Sequence, residues 1–413
     1  MTRTTIPLTE YVPQQFPAEA IPYEAGKILR RDYNHQIQVE SPSLQTEEQW
    51  RLTPHGWVGY IPVTPELGLQ LRPKVELSNL FRMLEYAYRL NGFQFLEDLT
   101  ACQQLEDFYE HLASVLAKRV LDRARKGFHR AYMPASQHLP YVRGRMDVQN
   151  LIYKPWSARL HCHYEEHTAD IEENQLLAWT LRHIARSNLC SQRVQPTVRQ
   201  AYRSLSGLAA LHPFTPQDCV GRLYNRLNQD YHPMHALCRF FLEHSGPSHE
   251  IGDRTVLPFL VNMERLFELF VAEWLQAHLP SNFLLRVQEK VGIGEQSTLH
   301  FNIDLVLIDA ETGKTHCVLD TKYKANDRPS VSDVAQVVAY AEMKGCDRAI
   351  LIYPTTLSEP LDEQVGKIRV QSMTFSLKGD LEASGHFFLD DLINNNKQLS
   401  CPPTQTSQPN IDT

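Results

Sequence analysis

The chain has 413 residues, of which 42% are hydrophobic and 22% charged, and its formal net charge is −7. That length points to two or three domains with real cores, and no apolar run reaches the roughly 18 residues that a membrane span needs. The acidic balance excludes a broad nucleic-acid-coating surface while leaving room for one local positive groove.

The first residues, MTRTTIPLTEYVPQQF, lack the charged-then-apolar order of a secretory signal. Eight cysteines lie scattered without a C-x-x-C pair, so neither a disulfide framework nor a zinc ribbon is indicated. A reducing cytoplasm is the expected setting.

Residues 1–76 read as a β-rich, irregular domain. Short apolar runs at Lys27-Ile28-Leu29, Ile37-Gln38-Val39 and Trp57 to Val63 alternate with Pro, Gly and Asn punctuation. Trp57 and Tyr60 can stack on a partner or fill a small β core, and the core is the commoner use. From Leu77 the period becomes helical, at about 77–91, 103–127, 174–189 and 232–244, which makes 77–250 a mainly helical middle region. Arg143 to Ile152 and Ala158 to Tyr164 read as strand pieces between them. The basic run Lys118, Arg119, Arg123, Arg125, Lys126 and Arg130 is either a groove or the solvated face of a helix with Leu112, Val115, Leu116 and Val120 beneath it. His161, Cys162, His163 and His167 are the densest group of soft metal ligands, but no second ligand pair follows at a zinc-site spacing. Residues 396–413 are polar and Pro-containing, as in a disordered tail. No G-x-x-x-x-G-K-[ST] and no G-x-S-x-G occurs, so the chain is neither itself a P-loop NTPase nor a serine hydrolase of the elbow type.

Residues 251–395 alternate helix and strand. Asn262 to Gln276 is an amphipathic helix pattern carrying Glu264 and Glu268. Leu299 to Ile308 and His316 to Tyr323 are β-like runs joined by the turn residues Glu311-Thr312-Gly313-Lys314. Asp304 lies in the first run and Asp320-Thr321-Lys322 in the second. Side chains alternate along a strand, so Asp320 and Lys322 share a face, and a paired hairpin lets Asp304 reach the same spot. Two carboxylates and an ammonium then converge. Hard oxygen ligands suit Mg²⁺, and a lysine beside them can steady an attacking hydroxide and the phosphate it attacks. Ser332 to Lys344 is helical with Ser332 as N-cap, and Gln336 and Tyr340 stand on one face of it. Arg348 to Tyr353 is a short strand ended by Pro354.

This order (helix with Glu, strand with Asp, strand with Asp-x-Lys, helix with Gln-x-x-x-Tyr, strand) resembles the PD-(D/E)XK nuclease superfamily, in its Gln-x-x-x-Tyr branch. The proline of the eponymous motif is absent, since Ile303 precedes Asp304. Further upstream, Gly56 to Ile61, Leu69 to Val75, Asn79 to Leu84, Val142 to Asp147, Cys162 to Glu165, Asn174 to Leu177 and Arg265 to Val271 are similar, in sequential order, to McrC, the nuclease subunit of the McrBC modification-dependent restriction system.

The resemblance implies an α+β multidomain chain whose residues 251–395 form a nuclease core. In that core Asp304 and Asp320 ligate Mg²⁺, and Glu268 serves as a further ligand or orienting group, with Glu264 as the fallback. Lys322 stabilises the nucleophile, while Gln336 and Tyr340 position the lysine and the DNA backbone. It also implies an McrB-like P-loop GTPase ring that uses GTP, a double-stranded DNA substrate carrying modified cytosine such as 5-methylcytosine, and docking on the ring through residues 1–76. Two readings compete: a non-catalytic activator of the ring, and a stand-alone repair nuclease. Every expected active-site position holds a competent residue type, which favours the enzyme over the activator. The N-terminal and middle-region likeness argues against the stand-alone nuclease. A net acidic chain without a recognition module is expected to cut weakly alone.

Overall fold

The computed structural model describes residues 4–90, 105–153, 156, 158–187, 189–245, 249–251, 254–256, 258–293, 299–324 and 327–394. The fold is mixed α+β, in two compact units that meet in sequence at Met263 and Glu264. The expected tail at 396–413 lies outside the described residues.

The first unit opens with β1 (Thr4–Thr9), β2 (Gln14–Pro17), α1 (Tyr23–Asp32), β3 (Ile37–Glu40), β4 (Gln49–Pro54), β5 (Trp57–Pro62), β6 (Leu67–Arg72) and α2 (Leu77–Ala87). Then come α3 (Leu105–Lys126), β7 (Ala131–Leu139), β8 (Arg145–Met146), α4 (Val148–Tyr153), β9 (Leu160–Thr168), α5 (Glu172–Ser187), α6 (Gln195–Leu205) and α7 (Tyr231–Glu243). A short hairpin, β10 (His249–Ile251) and β11 (Arg254–Val256), precedes β12 (Phe259–Asn262). Its main sheet runs β1-β6-β5-β12, so a strand from residues 259–262 completes the N-terminal sheet. That pairing needs Gly59: a Cβ there would stand 2.0 Å from the Phe259 carbonyl oxygen.

Lys27-Ile28-Leu29 is not a strand but part of α1. Ala25, Gly26 and Leu29 are buried at helical spacing, and the Trp50 ring occupies the space a Cβ on Gly26 would need. The piece at Arg143 to Ile152 is strand only at Arg145–Met146 and then turns into helix, an ambiguity inherent in short apolar runs. Trp57 packs against the core of this N-terminal region, which includes Leu52, Ile61 and Leu69. On α3, Leu112, Leu116 and Val120 are buried while Arg123 pairs with Asp230 at 3.3 Å and Arg125 with Asp122 at 2.8 Å. Lys118, Arg125 and Lys126 are thus on the exposed side of a packed helix, Arg123 is half-buried on it, and Arg130 follows its end.

The second unit comprises α8 (Met263–His278), β13 (Phe283–Ile293), β14 (Leu299–Asp309), β15 (Thr315–Thr321), α9 (Val331–Lys344), β16 (Arg348–Tyr353), β17 (Asp362–Val365), β18 (Ile368–Thr374) and α10 (Leu381–Asn394). Its six strands run in the order β13-β14-β15-β16-β18-β17. The β13, β14 and β15 neighbours are antiparallel, whereas β15, β16 and β18 are parallel, with α9 as the crossover between β15 and β16. The β14–β15 turn is built by Asp309, whose carboxylate accepts from the Glu311 and Thr312 backbone N–H groups, and by Gly313 at φ 68°. Val306, Val318, Ala349, Leu351 and Val370 form the core under Val337, Tyr340 and Ala341 of α9. The N-cap of α9 is Ser330, not Ser332: its hydroxyl accepts from the Asp333 N–H. Gly345, in the left-handed region, ends the helix. No helix among the described residues is long and apolar enough to cross a membrane.

Candidate functional site

Leu305 pairs with Leu319, and continuing that register puts Asp304 opposite Asp320. Both extend the sheet face that Val306 and Val318 line beneath α9, because residues two apart on a strand point the same way. Like charges placed directly across a strand pair repel, so something must hold them.

Asp304 is held by Thr321, whose backbone N–H and hydroxyl donate to Oδ2 at 3.0 and 3.1 Å. Asp320 is only 2% exposed. The Lys322 ammonium lies 2.6 Å from its Oδ2. This charge-assisted contact is what holds the buried Asp320 oxygen. Lys322 also donates to Gln336 Oε1 at 3.2 Å and lies 3.6 Å from Asp333 Oδ1. Gln336 Nε2 in turn donates to the Tyr340 hydroxyl at 2.6 Å. The structure thus joins Asp320, Lys322, Gln336 and Tyr340 in one chain of contacts, with Asp304 across the strand pair.

The electrostatics follow from crowding. Burial, with Asp320 and Glu268 nearby, pushes the Asp304 carboxyl up to about 7 against the opposing Thr321 hydrogen bonds. Asp320 is raised too, by burial first and by Asp333 and Glu268, with Lys322 opposing. For Lys322, burial works against the charge, but Asp320, Asp333 and Asp304 outweigh it and hold the ammonium above its ordinary range.

Of the two helix glutamates, Glu268 is the one near the centre, since it contributes to the field at both aspartates; Glu264 is exposed on α8. Glu268 Oε1 accepts from Arg265 at 2.9 Å and from Gln288 Nε2 at 2.8 Å.

Two residues here escaped the sequence reading. Asp333, 4% exposed in the first turn of α9, accepts from Lys324 at 3.2 Å and lies 3.6 Å from the Lys322 ammonium. Its spacing of three from Gln336 places it on the same helical face, a signal available in the sequence. Gln288 lies in β13 where the register sets it opposite Asp304, with φ 51°, a left-handed conformation uncommon for a non-glycine residue. Such strain costs on the order of 1–3 kcal/mol and persists where the surroundings impose it. The Gln288→Gly variant separates strain from role. It is expected to melt no lower than wild type, because glycine accepts that φ. Any cleavage activity should fall roughly 10- to 100-fold as Glu268 loses its brace. A lower melting temperature with full activity would refute this reading.

The donor set fits a hard divalent cation. Three carboxylates, Asp304, Asp320 and Glu268, crowd close enough to act on one another's charge beside one ammonium. The soft-ligand group behaves differently. Cys162 is buried and its thiol donates to the Tyr141 carbonyl, while His161 lies between Ser136 at 2.8 Å and Asp147 at 3.2 Å. Among the described residues, six cysteines are free thiols.

Fold and site together define an α+β protein with a buried carboxylate–lysine centre. A family model described as the McrBC 5-methylcytosine restriction system component matches residues 52–354, and the chain belongs to that family, on the McrC side that its motif order indicates. The chain is 23% identical over 220 residues to the type IV methyl-directed restriction enzyme EcoKMcrBC of Escherichia coli K12. That match takes in 51% of this chain and 61% of the relative, so the chain spans less than two thirds of the curated protein it matches. Among solved structures, it shares the fold of a chain in the half-complex of Thermococcus gammatolerans McrB AAA+ hexamers with bound McrC. The TM-score is 0.54 at 17% identity, over 95% of this chain and 100% of that one.

Proposed function

We propose that this chain is the DNA-cleaving subunit of a modification-dependent restriction system. It hydrolyses phosphodiester bonds in double-stranded DNA carrying modified cytosine, and it acts with a GTPase ring that it stimulates. The observation that carries the reading is the convergence of Asp304, Asp320 and Lys322 at one end of the β14–β15 pair. We read the second unit as a PD-(D/E)XK core, supported by the mixed six-stranded sheet and by the Gln336–Tyr340 pair beside the lysine.

Asp304 and Asp320 would hold Mg²⁺, with Glu268 as a third or outer ligand. When bound, the ion supplies Lewis-acid polarisation of the phosphate and a more acidic water. Lys322 faces the same space with its charge secured by Asp320 and Asp333, so it can stabilise the negative charge that builds on the phosphate in the transition state. Gln336 accepts from Lys322 and keeps its ammonium aimed. Tyr340, buried and held by Gln336, fixes that glutamine's rotamer.

The deciding assay incubates the full chain with methylated or unmethylated duplex DNA, with or without the GTPase ring, GTP, and Mg²⁺ or EDTA. Cutting is expected only of methylated DNA, with ring, GTP and Mg²⁺ together. Equal cutting in EDTA, or none under any condition, would overturn the reading.

We further propose that the N-terminal region, residues 1–76, docks on the ring. Between Trp57 and Val75 the residues are buried or partly covered except Pro65, Glu66, Arg72 and Lys74, which are exposed. Excising residues 1–76 would strip β12 of its partner strand, so surface charge reversal is the cleaner probe. The Arg72→Glu/Lys74→Glu double variant should lower stimulation of the partner GTPase several-fold with an unchanged melting temperature, as loss of rim charges slows association. Undiminished stimulation would place the contact elsewhere.

A further inference from the structure

A second group of metal-ligating side chains lies in the second unit, on different residues from the acidic centre. His278 ends α8, and Glu382 and His386 stand one turn apart on α10. One ligand atom from each lies within 4.8 Å of the others.

The local bonding prepares two of the three for a metal. His278 Nδ1 lies 2.9 Å from the Trp274 carbonyl oxygen. A carbonyl only accepts, so Nδ1 carries the proton and Nε2 is the lone-pair nitrogen. Nε2 lies 3.7 Å from Glu382 Oε2. That is too long for a hydrogen bond. It is close to the roughly 3.3 Å that separates two ligands on a tetrahedral ion with bonds of about 2.0–2.1 Å. The Glu382 carboxylate is oriented by the Trp274 indole N–H at 3.1 Å. A ligating imidazole whose other nitrogen is tied to a carbonyl, beside a carboxylate held by an outer donor, is the usual supporting arrangement of a protein metal site.

Packing brings the third ligand in. A Cβ on Gly385 would come within 2.3 Å of the Trp274 indole, so α10 packs against α8 where only glycine leaves room for that ring. The His278 ring stacks on Trp274 at 4.1 Å, and His386 meets His278 edge-on at 5.3 Å. His386 is exposed, which leaves an entry path and a position for solvent.

We propose that His278, Glu382 and His386 bind one Zn²⁺-class ion, with water as fourth ligand, fastening α10 to α8. Two imidazoles and one carboxylate favour zinc or a neighbouring transition ion over Mg²⁺. The group at Asp147, His161 and His163 is the matched control. It has the same ligand types, but its carboxylate and imidazole already stand at hydrogen-bond distance, Asp147 Oδ2 to His161 Nδ1 at 3.2 Å.

The test uses the full chain carrying Asp304→Asn and Asp320→Asn, to silence the acidic centre, stripped with EDTA and then titrated with Zn²⁺ or Co²⁺. One equivalent of Zn²⁺ should bind, Co²⁺ should give the intense visible bands of tetrahedral coordination, and at a hundredfold excess over Kd the melting temperature should rise by roughly 5–10 °C. Adding His386→Ala or Glu382→Gln should weaken binding at least tenfold and abolish the cobalt bands, with unchanged circular dichroism before metal is added. His163→Ala should change nothing. Absence of stoichiometric binding, binding that survives His386→Ala, or loss on His163→Ala instead would each overturn the proposal.

Discussion

Asp320→Ala should reduce DNA cleavage by the assembled protein on the order of a thousandfold or more, while folding and stimulation of the GTPase ring persist. The carboxylate is almost fully enclosed and stands 2.6 Å from the Lys322 ammonium, with Asp304 across the strand pair. Its loss removes one oxygen donor of the proposed Mg²⁺ set and the nearer counter-charge of the lysine together. Lys322 keeps Asp333 at 3.6 Å and Gln336 at 3.2 Å, so the ammonium stays charged but is drawn toward α9. The fold tolerates the change because Asp320 is held in the folded state against burial, and alanine has no charge to desolvate. GTPase stimulation measured in the same preparation serves as the internal control. Cutting at the wild-type rate would remove Asp320 from the chemistry and, with it, the assignment of the centre.

Asp304→Asn is expected to yield a protein that is inactive yet, without metal, more stable than wild type. The folded carboxyl is pushed up to about 7 from an ordinary value of 3.8. Between those limits the folded chain keeps a proton that the unfolded chain has released, so stability falls as pH rises through the window, and the full penalty applies above it. At about 1.4 kcal/mol for each pKa unit, the effect is a few kcal/mol at most. Asparagine keeps an oxygen for the Thr321 donors and carries no charge. In EDTA at pH 8 the variant should therefore melt several degrees above wild type, and the gap should close toward pH 5. Mg²⁺ should raise the wild-type melting temperature at pH 8 and leave that of the variant unmoved. Identical melting of the two proteins at pH 8 in EDTA would show that Asp304 is not electrostatically crowded.

Much of the candidate site could be read before the fold was known, because two simple periods govern it. Alternation along β15 puts Asp320 and Lys322 on one face, and the turn at Asp309 to Lys314 brings Asp304 alongside. The spacing of four on α9 aligns Gln336 with Tyr340. The choice between Glu264 and Glu268 depends on the rotation of α8 about its axis, which a pattern with both at helical spacing does not specify. Gln288 depends on a backbone twist in mid-strand, for which no residue-type preference prepares the reader. The pairing of β12 with β5 joins segments some two hundred positions apart, beyond any local period. In α1, three residues of apolar run were too short to distinguish strand from helix, and burial against Trp50 decided the matter.

Thr321 changes what the three-letter motif says. Written as Asp-x-Lys, the middle position is blank, yet here its hydroxyl and its amide both anchor the carboxylate on the neighbouring strand. The amide comes with any residue except proline, but the hydroxyl does not, so the information at this position is close to a choice between threonine and serine. A pattern that specifies the hydroxyl is several times more selective than one that leaves the letter open, and it selects for geometry. It finds hairpins in which the aspartate of the neighbouring strand is already tied down, and passes over the many Asp-x-Lys triplets that merely decorate a solvated strand.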